Sequence, residues 1–109
     1  MIKEKRVKPE VLESYVTALF EKVGIPPADA AFHAQALVET NLWGVDSHGV
    51  LRVPIYIKRM RSGAVNPKPN IETLRGGLGL EVLHGDDGAG FIVGREAMLR
   101  AIALAEEHN

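Results

Sequence analysis

The sequence contains no cysteine. That absence removes a disulfide framework, a thiolate metal site and a cysteine nucleophile together, and it agrees with a reducing, cytoplasmic location. No stretch approaches the ~18 consecutive apolar residues that a membrane-crossing helix needs. The N-terminus, Met1 to Lys8, is basic but leads into an amphipathic segment, with no apolar leader core and no small-residue cleavage site. A soluble protein, neither exported nor membrane-bound, is the expectation. A dominant charge is missing too: 13 Lys and Arg against 14 Asp and Glu leave a formal net charge of −1. That balance argues against a protein held on nucleic acid by phosphate contacts. Aromatic residues are scarce, at 6%, and they do not interleave with the Lys58, Arg59 and Arg61 patch, so a base-stacking platform lacks support. No two histidines have metal-ligand spacing, and no metal site is expected.

What the sequence does have is ordinary globular chemistry. Its 109 residues are 46% apolar and 25% charged, which fits one folded domain or a portion of a larger chain and argues against disorder. Leu12, Tyr15, Val16, Leu19, Phe20 and Val23 recur at three- and four-residue spacing, which predicts a first helix over 9–23 with Gly24 as its stop. A second helix is expected over 27–42, burying Ala30, Ala34, Leu37, Val38 and Leu42, with Gly44 after it. His33 falls near that apolar face and reads as a structural residue. Between Ser47 and Gly63, Pro54 forfeits a helical bond to the Val50 carbonyl. A short turn from about His48, a bend, and a firmer helix through Tyr56, Ile57 and Met60 follow from that.

The texture then changes. Asn66-Pro67-Lys68-Pro69-Asn70 predicts an extended segment. Short apolar runs at 71–74 and 80–83 flank Gly76-Gly77 and predict a β-hairpin. A glycine-rich turn at 85–90 feeds a last helix to about Glu107, with an apolar stripe of Phe91, Val93, Ala97, Met98, Ala101, Leu104 and Ala105. The fold class is therefore expected to be α+β. A three-helix unit, residues 1–65, is followed by a hairpin and helix, residues 66–109, that read as the start of a truncated α/β domain.

The densest polar cluster runs from Asp46 to Tyr56. On one helix, His48, Arg52 and Tyr56 are four apart and project from one side, with Arg59 extending it. A histidine, a guanidinium and a phenol together suit a carboxylate substrate with an adjacent hydroxyl or keto group. Arg52 can grip the carboxylate through two donors, His48 can exchange a proton near neutrality, and Tyr56 or Ser47 can orient the oxygen. The same string also reads as a helix cap at Ser47 followed by a solvated edge, and spacing alone leaves both readings open. Gly88-Ala89-Gly90 with Gly94 has the outline of a dinucleotide loop, but Asp86 and Asp87 beside it would repel a pyrophosphate and the preceding strand reads as part of a hairpin, so a glycine turn feeding a helix is the preferred reading.

Gly44-Val45-Asp46-Ser47-His48-Gly49, then Arg52, Pro54 and Tyr56, then Gly63 and Asn66-Pro67-Lys68-Pro69, resembles the malate/L-lactate dehydrogenase family of non-Rossmann oxidoreductases. That family includes ureidoglycolate and sulfolactate dehydrogenases, diketogulonate reductase and a cyclic-imine reductase. The turn at 85–90, with Gly94, resembles a second family segment. The likeness covers nearly the whole chain, most tightly residues 44–69. It implies a helical N-terminal region, an unusual NAD- or NADP-binding domain, hydride transfer on a small 2-hydroxy or 2-keto acid such as malate or lactate, and a dimer. Position by position, His48 matches the family's proton donor and acceptor, and Ser47, Arg52 and Tyr56 match substrate-pocket positions. Trp43 stands where arginine is common and Asp87 where asparagine is common. Family members continue far beyond Asn109, and most cofactor contacts lie in that continuation, so no cofactor-binding residue is assigned here. The expectation is the N-terminal part of an oxidoreductase, inactive alone. The alternative is a non-catalytic remnant that serves as a dimerisation or interaction domain.

Overall fold

Helix α1 (Pro9–Lys22) starts on a proline, whose missing N–H falls among the first-turn donors that no helix satisfies. It closes on Gly24 at φ +99°, where the Gly24 N–H reaches the Glu21 carbonyl at 3.0 Å and the Ile25 N–H reaches the Phe20 carbonyl at 3.2 Å. That double closure needs a left-handed residue, which glycine supplies without a Cβ clash, and it buries Phe20 and Ile25 together. Helix α2 (Pro27–Leu42) ends in the same way around Gly44. The computed structural model describes residues 3–108; Met1 and Ile2 of the basic N-terminus and Asn109 of the tail lie outside the described residues.

Two 3₁₀ turns, Asp46–His48 and Val50–Arg52, precede helix α3 (Val53–Arg61). Pro54 explains the break. Inside a longer helix it would crowd the Val50 carbonyl, whereas as the second residue of α3 it sacrifices no bond, so the regular helix begins one residue before it. The expected turn, bend and firmer helix are all present.

The core sits between these three helices. Val16, Phe20, Ile25, Ala30, Ala34, Leu37, Val53 and Met60 form one buried cluster. Ala30 and Ala34 have no side chain beyond Cβ, which lets α1 and α2 approach closely. His33 is 1% exposed, stacked on Phe20 at 4.5 Å and tilted against Phe91 at 4.7 Å and Tyr56 at 5.3 Å. Neither of its ring nitrogens has a hydrogen-bond partner among the described residues. Two expectations fail: Tyr15 and Leu42, on the apolar stripes of their helices, are exposed.

The second half is a two-stranded antiparallel sheet and a long helix. Strands β1 (Glu72–Gly77) and β2 (Leu80–His84) pair from Glu72↔His84 to Gly77↔Leu80, with an irregularity between Thr73 and Arg75. The expected hairpin is present. It turns at Leu78-Gly79, because Gly79, at φ +72°, supplies the left-handed turn residue, and Gly76 and Gly77 belong to β1. The proline segment is stitched to the 85–90 turn. The Asn66 N–H donates to the Asp87 carbonyl at 2.8 Å, and Asp86 accepts from the Asn66 side chain at 3.0 Å and the Asn70 N–H at 2.8 Å.

Helix α4 (Gly90–His108) docks on α2 through its first turns. Arg95 pairs with Asp29 and lies 4.5 Å over the Phe32 ring. Further along, Arg100 donates to Glu81 of β2 at 2.6 Å and to Glu96 at 2.9 Å. The expected stripe is mostly uncovered: Ala97, Met98, Ala101 and Ala105 are exposed, and Ile92 is the residue that α4 buries. The periodicity located an apolar face; what packs on it lies outside that pattern. Among the described residues, four α-helices with an antiparallel pair make the fold α+β, as expected. Among the described residues, no helix is long and apolar enough to cross a membrane.

Candidate functional site

The segment between α2 and α3 gathers three of the four expected site residues. The Ser47 hydroxyl lies 2.8 Å from His48 Nδ1. Arg52 Nε donates to the Ser47 carbonyl at 2.9 Å. All three side chains are exposed, so the imidazole edge and the outer guanidinium face meet solvent. The two 3₁₀ turns produce this arrangement: they fold His48 and Arg52 back around Ser47 rather than along one helix.

That geometry corrects the four-apart reading. His48, Arg52 and Tyr56 do not lie on one continuous helix, because Gly49, at φ −91° and ψ −141°, separates the two turns and α3 begins only at Val53. Tyr56 is half-buried with its ring toward His33. It lines a cleft of about 440 Å³ with His33, Arg59, Met60, Val65 and the 88–91 backbone. Ser47, His48 and Arg52 do not line that cleft.

One residue was missed. Asn41, in the last turn of α2, spans the base of the cluster. Its side-chain oxygen accepts the Val50 N–H at 2.8 Å, and its amide nitrogen donates to Asp46 at 2.9 Å. Buried Gly49 lies directly beneath it, where a Cβ would come within 2.1 Å of the Asn41 side-chain oxygen. No periodicity marks Asn41. The sole hint in the sequence is a polar side chain at a helix end, just before a turn-rich string.

The 85–90 turn does not fit a pyrophosphate. Gly88 is tight against Pro69, at 2.7 Å from a built Cβ, so internal packing already requires its missing side chain. Asp86 and Asp87 take positive φ beside it, and Asp86 is committed to Asn66 and Asn70. Among the described residues, no group of three His, Asp or Glu side chains could hold a metal ion. His84 accepts the Asp86 N–H at 3.2 Å, which fits a local structural role.

Residues 7–109 match the malate/L-lactate dehydrogenase family. L-sulfolactate dehydrogenase of Methanocaldococcus jannaschii is 37% identical over 100 residues, which is 92% of this chain and 29% of that protein. Malate dehydrogenase of Pyrococcus horikoshii is 38% identical over 102 residues, which is 94% of this chain and 28% of that protein. The solved structure of the Pyrococcus horikoshii OT3 enzyme superposes with a TM-score of 0.92 at 37% identity, covering 98% of this chain and 31% of that one. (2R)-3-sulfolactate dehydrogenase (NADP(+)) of Chromohalobacter salexigens is 32% identical over 97 residues, which is 87% of this chain and 28% of that protein. The chain thus spans under a third of the length of these relatives.

Proposed function

The chain belongs to the malate/L-lactate dehydrogenase family, and on that premise we propose that it supplies the proton-handling and carboxylate-holding part of an NAD- or NADP-dependent oxidoreductase. The substrate class is a small 2-hydroxy or 2-keto acid such as malate or lactate, and the location is the cytoplasm. The observation that carries this reading is the hydrogen-bonded set Ser47, His48 and Arg52.

Oxidising a 2-hydroxy acid removes the C2 hydrogen as hydride, which a nicotinamide accepts when bound, and separately removes the hydroxyl proton. His48 is the residue in the set suited to that proton, since a neutral imidazole offers a ring-nitrogen lone pair to accept it. To receive it at Nε2, the ring must carry its own hydrogen on Nδ1. Nδ1 then donates to the Ser47 hydroxyl oxygen, and the imidazolium formed afterwards keeps the same bond. Ser47 therefore accepts in both states, and its own hydroxyl hydrogen is free to face the substrate oxygen. Keto-acid reduction runs the same proton in reverse. Arg52 spends Nε on the Ser47 carbonyl, which leaves its two terminal NH₂ groups for a carboxylate end-on. Tyr56 keeps a lesser place, since its ring faces His33. We assign most of the nicotinamide site to sequence outside this chain, and the division at residues 65 and 66 to the boundary between the helical unit and that domain.

The test is a chimera in which residues 7–109 replace the matching segment of the Pyrococcus horikoshii malate dehydrogenase. His48→Ala should lower kcat for malate by ~10²–10⁴-fold. Arg52→Lys should act mainly on KM. The 109-residue chain alone should not turn over. Near-normal kcat in the His48→Ala chimera overturns the reading.

A second reading has its own observation: Met98, Leu99 and Ile102 of α4, with Leu74, Leu78 and Leu80 of the hairpin, are exposed apolar residues. Such surface favours self-association into a dimer. Light scattering that finds a monomer at high concentration would remove it.

A further inference from the structure

We infer that Asn41 is a positioning residue for His48, and that position 49 is glycine because the Asn41 amide occupies the space its side chain would need. The inference rests on reading His48 as the proton carrier.

The three 3₁₀ residues Asp46–His48 form too short an element to hold their own shape. One of its two backbone bonds is stretched: the Gly49 N–H reaches the Asp46 carbonyl at a long 3.4 Å, while the His48 N–H reaches the Val45 carbonyl at an ordinary 3.1 Å. His48 is exposed, so no core packing fixes its ring. Arg52 holds the Ser47 carbonyl from the α3 side, and the side chain that ties the segment to α2 is Asn41. Asn41 stands on α2, among whose residues Leu37 and Val38 are buried, so its backbone is anchored. Its carboxamide then holds both ends of the loop, donating to the Asp46 carboxylate at 2.9 Å and accepting the Val50 N–H at 2.8 Å. Ser47, His48 and Gly49 lie between the two holds.

Gly49 completes the argument. The amide lies across its Cα so closely that a built Cβ would sit 2.1 Å from the side-chain oxygen and 2.4 Å from the side-chain carbon of Asn41. Neither group can shift cheaply, because the amide is bonded at both ends. The pair acts as one device, an amide that pins the loop and a glycine that admits the amide. Only asparagine does this with one side chain of this reach: aspartate lacks the donor for Asp46, and leucine, of similar shape, lacks both bonds. Displacing a proton carrier by about 1 Å can cost ~10²-fold in rate, so a residue that never touches substrate can matter to turnover.

The experiment has two arms. In the 109-residue chain, nitrogen-15 NMR of the His48 ring reads the balance between Nδ1–H and Nε2–H and the titration midpoint. Asn41→Ala should move both, with circular dichroism recorded alongside to show that α1, α2 and α3 remain folded. Asn41→Asp alone sets two carboxylates together and should move them too. Asn41→Asp combined with Asp46→Asn exchanges the partners, with an amide donating from position 46 and a carboxylate accepting the Val50 N–H at position 41, and should return the His48 signals toward wild type. If Asn41→Ala fails to fold, the Asn41→Asp and exchange pair carries the same measurement. In the chimera, Asn41→Ala should lower kcat by ~10–100-fold. Added to His48→Ala it should lower kcat no further, since the two act through one group. His48 signals unchanged in Asn41→Ala, or an exchange variant that restores nothing, overturn the inference. Near-normal kcat in His48→Ala overturns instead the proton-carrier reading, and the spectroscopic arm still decides whether Asn41 positions the ring.

Discussion

Residues 9–61 and residues 72–108 both carry apolar faces and put them to different use. In the first region α1, α2 and α3 close on one another, and nearly every buried hydrophobic side chain belongs to them or to the turn at Ile25. In the second, every residue of β1 is exposed, and α4 buries Ile92 while leaving Met98, Leu99 and Ile102 outside. The lesson is about what an apolar stripe means. It shows which side of an element avoids water, but a core forms only where three such sides meet. The first region is held by burial, the second by polar ties at Arg95 and Arg100.

The sharpest way to break this contrast is a cavity. Leu37→Ala empties a fully buried site in the first region and should cost about 2–5 kcal/mol in a urea or thermal unfolding experiment. Leu78→Ala, at a side chain 97% exposed in the hairpin turn, should stay within about 0.5 kcal/mol. Equal losses at the two sites would erase the distinction.

A somewhat smaller effect comes from acid. Burial pushes the His33 imidazole down to about 4 from its ordinary 6.5. Below pH 6.5 the unfolded chain takes a proton there that the folded chain refuses until about pH 4, so stability falls as pH drops through that window and is unaffected by this group above it. The full loss is about 3 kcal/mol, from 1.36 kcal/mol for each pH unit. His33→Leu should flatten unfolding free energy between pH 6.5 and 5, where carboxylates contribute little. A slope that survives the substitution assigns the effect elsewhere.

The least effect on the fold as a whole should follow from Arg100→Ala. Arg100 holds Glu81 of β2, whose carboxyl is kept below its ordinary range by the Thr73 hydroxyl and by Arg100 itself. Losing it should speed amide hydrogen exchange across 72–84 and leave α1 and α2 protected. Exchange that rises equally in both regions would show that the second is not separately held.

The extent to which this was legible in the sequence follows the same division. Helices α1, α2 and α3 could be read because propline-led starts, three- and four-residue spacing and terminal glycines all express local chemistry. Pro54 even marked the start of α3. The hairpin could be read but its turn could not, since three glycines compete for it and the choice of Gly79 depends on cross-strand register. Ser47, His48 and Arg52 were found as residue types, and their joining through Ser47, by its hydroxyl to His48 and its carbonyl to Arg52, was not, because it depends on two 3₁₀ turns rather than one helix. Tyr56 was grouped with them by spacing and by the family resemblance, and its ring packs beside His33. Asn41 had only its place at a helix end to mark it, since its role is a pair of contacts to residues five and nine positions on.

The tie between Asp29 and Arg95 spans 66 positions of sequence. Closing a loop of that length costs about 4 kcal/mol of chain entropy before any contact repays it. The α1–α2 hairpin, by contrast, joins across the short connection of residues 23–26. Folding should therefore begin in that hairpin, with α4 arriving after the rate-limiting step. Asp29→Ala would then hasten unfolding and leave the refolding rate nearly untouched in a stopped-flow experiment; a matching loss in the refolding rate would place the docking of α4 before the barrier.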